Sequence, residues 1–187
     1  MFASDRSPQL ETQRLILRLP RRQDFDGYAE LFEDADAVKF IGGASPRAAT
    51  WRRFLQMPGA WAVQGFAMFS VIDKASGEWL GQAGPWQPEG WNGTEVGWSF
   101  RRAAWRRGYA TEAATAAIDW AFANLGWSEV IHNIAPGNTA SIAVAERLGS
   151  RYLRSDRMPA PFDAEEVGVW GQTREQWHAR RAGESGT

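Results

Sequence analysis

The sequence predicts one α+β domain, and three observations carry that prediction. Three runs of strand character, 67–73, 78–83 and 94–100, succeed one another through turn signals, as antiparallel neighbours do. The apolar period then switches to that of a helix across 108–125. No internal repeat, low-complexity stretch or second composition regime divides the 187 residues.

The elements follow in order. Residues 1–11 read as a flexible N-terminal arm, 12–178 as the single domain and 179–187 as a frayed C-terminal tail. Arg14–Leu19, rich in leucine and isoleucine and stopped by Pro20, predicts a first strand. Asp24 stands where an N-cap would, ahead of Phe25, Tyr28, Leu31 and Phe32 at helical spacing. Pro46–Leu55 predicts a second helix with its proline tolerated in the first turn. Ala67–Asp73 and Glu78–Ala83 are joined by Lys74-Ala75-Ser76-Gly77, a hairpin signal. Thr94–Phe100 follows the turn at Gly90–Gly93. Gly108–Leu125 places apolar or small residues at 110, 113, 114, 117, 118, 121, 122 and 125 and closes at Gly126. Val130–Ala135 is a short strand, and Asn138 caps a helix carrying Ile142, Ala145 and Leu148 that ends at Gly149. Glu165–Gly171 predicts another strand, and Thr173 an N-cap for a last short helix through Trp177.

Composition narrows the function classes. Twenty-one basic and 22 acidic residues leave a net charge of −1, which argues against wrapping nucleic acid. No apolar run approaches the ~20 residues that span a bilayer, and the first 14 residues lack the apolar core of a secretion signal, so a cytoplasmic address is the expectation. The chain has no cysteine, which excludes disulfides, thiolate metal sites and covalent catalysis through sulfur. Its two histidines, His132 and His178, lie far apart, so no metal is expected. Eleven tryptophans are compatible with a homodimer interface.

One stretch carries a site signal: Trp105-Arg106-Arg107-Gly108-Tyr109-Ala110-Thr111-Glu112-Ala113. It joins the strand at 94–100 to the long helix through a loop that also holds Arg101 and Arg102. First-turn amides lack intrahelical acceptors and sit at the positive end of the helix dipole, and the small Gly108 and Ala110 would let an anion approach them. With no Lys-Ser/Thr pair after the glycine this is not a Walker loop, and with one glycine it is not a Rossmann fingerprint. The chemistry reads as a phosphate or pyrophosphate at a helix N-terminus, or as a solvated turn.

The same stretch, preceded by EVGWSF and followed by NTASIAVAERLG, resembles the acyl-CoA-binding core of the GNAT superfamily of N-acyltransferases. The opening ETQRLILR and closing VGVWGQTREQW are similar to the ends of its RimJ/RimL-type branch, so the likeness runs from about Glu11 to Trp177. The resemblance implies a twisted mixed sheet with helices on both faces and a V-shaped acyl-CoA cleft. It implies that Trp105 stands at the R/Q position of the R/Q-x-x-G-x-G/A motif and that the amides of Arg106, Arg107, Gly108, Tyr109, Ala110 and Thr111 hold the coenzyme A pyrophosphate. It further implies that Trp98, Ser99 and Phe100 pair through their backbone with pantetheine, and that Asn138 and Ser141 lie near the thioester.

Acetyl transfer then needs a neutral amine, a polarised thioester carbonyl and a proton for the departing thiolate. Neutralising an α-amine at pH 7 costs roughly 1 kcal/mol, against roughly 4–5 for a lysine side chain, so an α-amine of a protein or peptide is the easier acceptor. Glu95 occupies about the place where many relatives keep a catalytic glutamate, or is a solvent-facing strand residue. A strand amide near Trp98–Phe100 would polarise the carbonyl. The tyrosine acid usual in the family is replaced by Ala145, ahead of Glu146-Arg147-Leu148-Gly149, which leaves Ser141 or Tyr152 as candidate acids. Trp86 and Trp91 flank the turn leading to Glu95 and read as an acceptor pocket or as packing residues. Alternatives are the same chemistry on a small-molecule amine, for which the acidic run Asp163, Glu165 and Glu166 offers a cation attractor, and a non-catalytic acyl-CoA-binding module.

Overall fold

Leu15 and Leu17 alternate inward along the first long strand, fully buried, and set the polarity of the sheet built around them. In a computed structural model that describes residues 8–160, 162–164 and 166–184, eight strands form one mixed, mostly antiparallel sheet. They are β1 (Gln9–Glu11), β2 (Leu15–Arg18), β3 (Phe69–Asp73), β4 (Trp79–Trp86), β5 (Glu95–Phe100), β6 (Glu129–Ile134), β7 (Arg151–Arg157) and β8 (Glu166–Thr173), in the spatial order β1-β2-β3-β4-β5-β6-β8-β7. Six α-helices accompany them among the described residues: α1 (Phe25–Glu33), α2 (Ala35–Val38), α3 (Arg47–Gln64), α4 (Tyr109–Asn124), α5 (Thr139–Arg147) and α6 (Arg174–Glu184). None is long and apolar enough to cross a membrane. The chain forms two compact units, one holding the residues up to Gly84 with Trp98–Ala117, the other Pro85–Gly97 with the residues from Ile118 onward.

In the first unit the helical spacing of Phe25, Tyr28, Leu31 and Phe32 becomes the buried face of α1, packed with Phe54 of α3, Ile72 of β3 and Trp79 of β4. Gly27 is needed under Trp79, because a Cβ there would meet the indole at 2.9 Å. Asp24 does not cap α1 as expected. Its carboxylate takes a bidentate pair from Arg18 at 2.7 Å each, with the Arg21 amide and Ser70 hydroxyl at 2.8 Å. Burial pushes this carboxyl up, but those four donors outweigh it and hold it below the usual range. The second helix runs nine residues past the expected Leu55, through Pro58, because its far half has apolar surface to bury: Met57, and Trp61, whose ring lies tilted against Phe69 with centroids 5.0 Å apart. Gly77, at φ +73°, closes the expected hairpin with its amide on the Asp73 carbonyl at 2.9 Å. The last three residues of the expected arm, Gln9–Glu11, form β1, an edge strand pinned by Lys74 to Glu11 at 3.1 Å; residues 1–7 lie outside the described ones.

In the second unit β6 and β8 pair antiparallel from Glu129↔Thr173 to Ile134↔Gly168, and β7 adds to the outer side of β8. Strand β7 was not predicted: an edge strand with almost every residue exposed carries no apolar alternation to read. Asn138 caps α5 as expected, accepting the Ser141 amide at 3.2 Å, and Gly149 ends the segment in the left-handed region at φ +86°. The last helix reaches Glu184, past the expected Trp177, whose indole is fully buried and donates to Asp119 at 2.6 Å. Glu165 and 185–187, called as strand start and tail, lie outside the described residues.

A buried polar chain crosses this unit. Gln172 Nε2 donates to Ser150 Oγ at 2.9 Å, Ser150 pairs with His132 Nε2 at 3.0 Å, and His132 Nδ1 meets the Val96 carbonyl at 2.6 Å. A carbonyl only accepts, so Nδ1 carries the proton and Nε2 accepts from the serine. Burial depresses the His132 pKa to about 4, against the opposing pull of Val96. Unfolded histidine takes up its proton near 6.5, so this neutral ring contributes stability that is complete above about 6.5 and lost as pH falls toward 4. The shift corresponds to about 3 kcal/mol. Urea titrations at pH 7 and pH 4.5 should show a loss of that order in the wild type and a clearly smaller one in His132→Gln; equal losses would contradict the assignment.

Candidate active site

The loop between β5 and α4 lies in the first unit, and its geometry suits an anion. Arg106 adopts φ +59°, the single non-glycine left-handed residue among those described, and Gly108 follows at φ +78°. Helix α4 begins at Tyr109 and its first backbone bond runs from the Glu112 amide to the Gly108 carbonyl at 3.0 Å. The amides of Tyr109, Ala110 and Thr111 therefore have no intrahelical acceptor. Trp105 closes the loop by donating its indole N–H to the Phe100 carbonyl at 2.9 Å. Of the four loop arginines two are engaged by acids: Arg101 with Glu30 at 2.7 Å, and Arg102 with Asp34 at 2.5 Å and Asp36 at 2.9 Å. Arg106 and Arg107 keep exposed side chains. On β5 the approach to β4 is close, for a Cβ on Gly81 would lie 2.3 Å from the Ser99 carbonyl, and the Ser99 hydroxyl is buried without a partner among the described residues.

A strand-to-helix clamp holds this loop. Arg14 donates its backbone N–H and Nε to Glu112 at 2.9 and 2.7 Å and its terminal nitrogen to the Arg107 carbonyl at 2.9 Å. Thr12 donates to the same carboxylate at 2.5 Å. The Tyr109 ring has the Arg14 guanidinium 4.5 Å and the Arg107 guanidinium 4.8 Å from its centroid.

Glu95 lies in the second unit at the start of β5, 8% exposed rather than solvent-facing. Its oxygens meet Trp91 Nε1 at 2.6 Å, Asn133 Nδ2 at 2.8 Å and the Asn133 amide at 3.3 Å. Burial raises its pKa, and these three donors only partly offset that. Beside it the parallel ladder changes character. Glu95 pairs with Ile131, whose amide donates to the Thr94 carbonyl at 3.0 Å. Two residues on, a regular ladder would send the Asn133 amide to the Val96 carbonyl. Instead that amide serves the Glu95 carboxylate, and Val96 receives the His132 ring.

Asn138 and Ser141 lie together at the start of α5, through the cap described above. Ala145, at the position of the usual tyrosine, is fully buried. Tyr152 is 55% exposed on β7, its ring 5.8 Å from Trp170. Trp86 and Trp91 meet edge to face at 6.4 Å, with the Trp91 N–H directed to Glu95.

The family model of the acetyltransferase (GNAT) domain matches residues 14–151. The chain belongs to the GNAT acetyltransferases. It is similar to YkkB of Bacillus subtilis (strain 168), with 34% identity over 154 residues covering 80% of this chain and 88% of the relative. The N-acetyltransferase p20 of Bacillus licheniformis is 30% identical over 143 residues, 74% of this chain and 80% of its own. The crystal structure of an acetyltransferase from Agrobacterium tumefaciens str. C58 superposes with a TM-score of 0.78 at 29% identity, over 93% of this chain and 99% of that one. This GNAT protein is accordingly an N-acetyltransferase, and its fold is one that uses acetyl-CoA.

Several neighbours of these groups escaped sequence reasoning. Asn92, Asn133, Arg14 and Glu112 gain their partners from residues 38 to 100 positions away, and no local spacing announces such pairs. Glu112 alone carried a signal, as an acid in the first turn of the helix behind the glycine.

Proposed function

We propose that this N-acetyltransferase transfers the acetyl group of acetyl-CoA to the α-amine of a protein or peptide, by direct attack in a ternary complex. The observation that carries the reading is Glu95: a buried carboxylate of raised pKa, bonded among the described residues only by donors, in a chain without cysteine. The loop amides from Arg106 to Thr111 would bind the pyrophosphate, with Trp98, Ser99 and Phe100 along pantetheine and Asn138 and Ser141 at the thioester. Gly108 and Ala110 leave room at the amides, and the Ser99 hydroxyl has unused hydrogen-bonding capacity, so the residues fit such a ligand.

The amine nitrogen attacks the thioester carbonyl, a C–N bond forms and the C–S bond breaks. The ammonium proton passes to Glu95 directly or through one water, and the thiolate takes a proton from Ser141, Tyr152 or water. A base of modest strength suffices for an α-amine, whose pKa of about 7.7–8.0 leaves roughly a tenth of it neutral at pH 7. The opening ETQRLILR and closing VGVWGQTREQW support the RimJ/RimL-type branch and hence a protein acceptor.

Free thiol released from acetyl-CoA, read with a disulfide dye against peptides of varied N-terminus and a panel of small amines, tests the assignment, and the protein adds no thiol background. Release with peptide α-amines is the expected result. Release with small amines alone would move the acceptor to the small-molecule class. Silence across the panel, with acetyl-CoA still raising the melting temperature, would favour the binding module.

A further inference from the structure

The side-chain amide of Asn133 has all its hydrogen-bonding groups in use. One hydrogen of Nδ2 goes to Glu95 Oε2 at 2.8 Å and the other to Asn92 Oδ1 at 3.0 Å, while Asn133 Oδ1 accepts from Asn92 Nδ2 at 2.9 Å. The reciprocal amide pair leaves one orientation only, since a flipped Asn133 would turn its oxygen onto the carboxylate and set the two amides donor against donor. Asn133 also contributes its backbone N–H to Glu95 Oε1, a bond free to form because β6 has left the regular ladder there. The third donor is the Trp91 indole, which cannot accept. Every group bonded to Glu95 among the described residues is thus a neutral donor. The charged residues of β7 in this region, Arg154 and Asp156, reach the Asn92 side, and His132 is engaged with Val96 and Ser150.

We propose that Asn133 is the positioning residue of Glu95: its amide, locked by Asn92, fixes the carboxylate against Trp91 and favours the ionised, proton-accepting form. The inference rests on Glu95 being the base. Asn133 itself touches no reacting atom. It counters the burial of the carboxylate without adding a charge that would compete for the amine.

The measurement is the pH profile of kcat/KM for acetyl transfer in the intact enzyme, taken on wild type, E95Q, N133A, N133D and N92A, with melting temperatures alongside. Loss of one donor in N133A should move the acid limb upward by about half to one pH unit. N133D, which sets a second carboxylate beside the first, should move it further, and N92A should move it the same way by less. N92A also keeps the test open where N133A does not fold. A lower rate in N133A and N92A with the limb at its wild-type position would reduce Asn133 to a structural role and overturn the proposal. Persistence in E95Q of the carboxylate limb, as distinct from the amine's own at about pH 8, would instead remove Glu95 as the base, an outcome separable from the first.

Discussion

Glu95→Gln is expected to lower kcat about 10²- to 10³-fold at pH 7, the range a positioned general base contributes. The wild-type rate should fall with decreasing pH as the carboxylate takes up a proton, at a pKa above the ordinary glutamate value because burial raises it. The variant has no such limb. Its rate should climb about tenfold with pH as the amine loses its own proton and level off above about pH 8, so the gap to the wild type narrows at high pH without closing. The stability sign runs opposite to the activity sign. A carboxyl whose pKa is raised on folding favours the native state below its unfolded pKa and loses that contribution as pH rises through the folded value. In E95Q relief of the buried charge at pH 8 is opposed by an amide that faces donors on one side, so the melting temperature is read beside the rate to separate lost chemistry from lost structure. A wild-type pH profile in E95Q would exclude Glu95 from the mechanism.

The second large effect is at Gly108. Its φ of +78° disfavours any β-branched residue, and a new Cβ would meet the Arg14 guanidinium at 3.4 Å. Gly108→Val should weaken coenzyme A binding at least about 100-fold, the loss of two charge-assisted amide bonds of roughly 1.5 kcal/mol each. Left-handed strain adds a fall in melting temperature of a few degrees, at about 1–2 kcal/mol. Calorimetric titration with coenzyme A gives the affinity and circular dichroism the fold. Unchanged affinity in a folded variant would dismiss the loop as the pyrophosphate cradle.

Much of this architecture was legible because it is local. The caps at Asn138 and Thr173, the hairpin at Gly77 and the apolar stripe of α1 each depend on residues within a few positions of one another. The misreadings share a different cause. Asp24 looks like a cap by its place before α1, yet Arg18 and Ser70 bring stronger partners, one of them from 46 residues away. The second helix is expected to stop at Leu55, yet Met57 and Trp61 beyond it have a core to enter. Strand β7 is held by its pairing with β8 and shows no pattern of its own. At the site the same division holds. The glycine loop announces itself in nine residues, whereas the shell around Glu95 exists only after β6 has paired with β5.

The clamp at the mouth of α4 has a further electrostatic meaning. A glutamate in the first helical turn would ordinarily occupy the positive end of the dipole and repel an incoming polyanion. Glu112 is spoken for: Thr12 and Arg14 bond its oxygens, and these contacts outweigh its burial and hold its pKa below the usual range. The pair Arg14–Glu112 is neutral as a unit, so the dipole end is left to the loop amides while Arg106 and Arg107 supply the net positive field. A segment from the start of the chain thus silences a charge that the helix carries for its own stability, and the mouth reads as cationic to whatever approaches it.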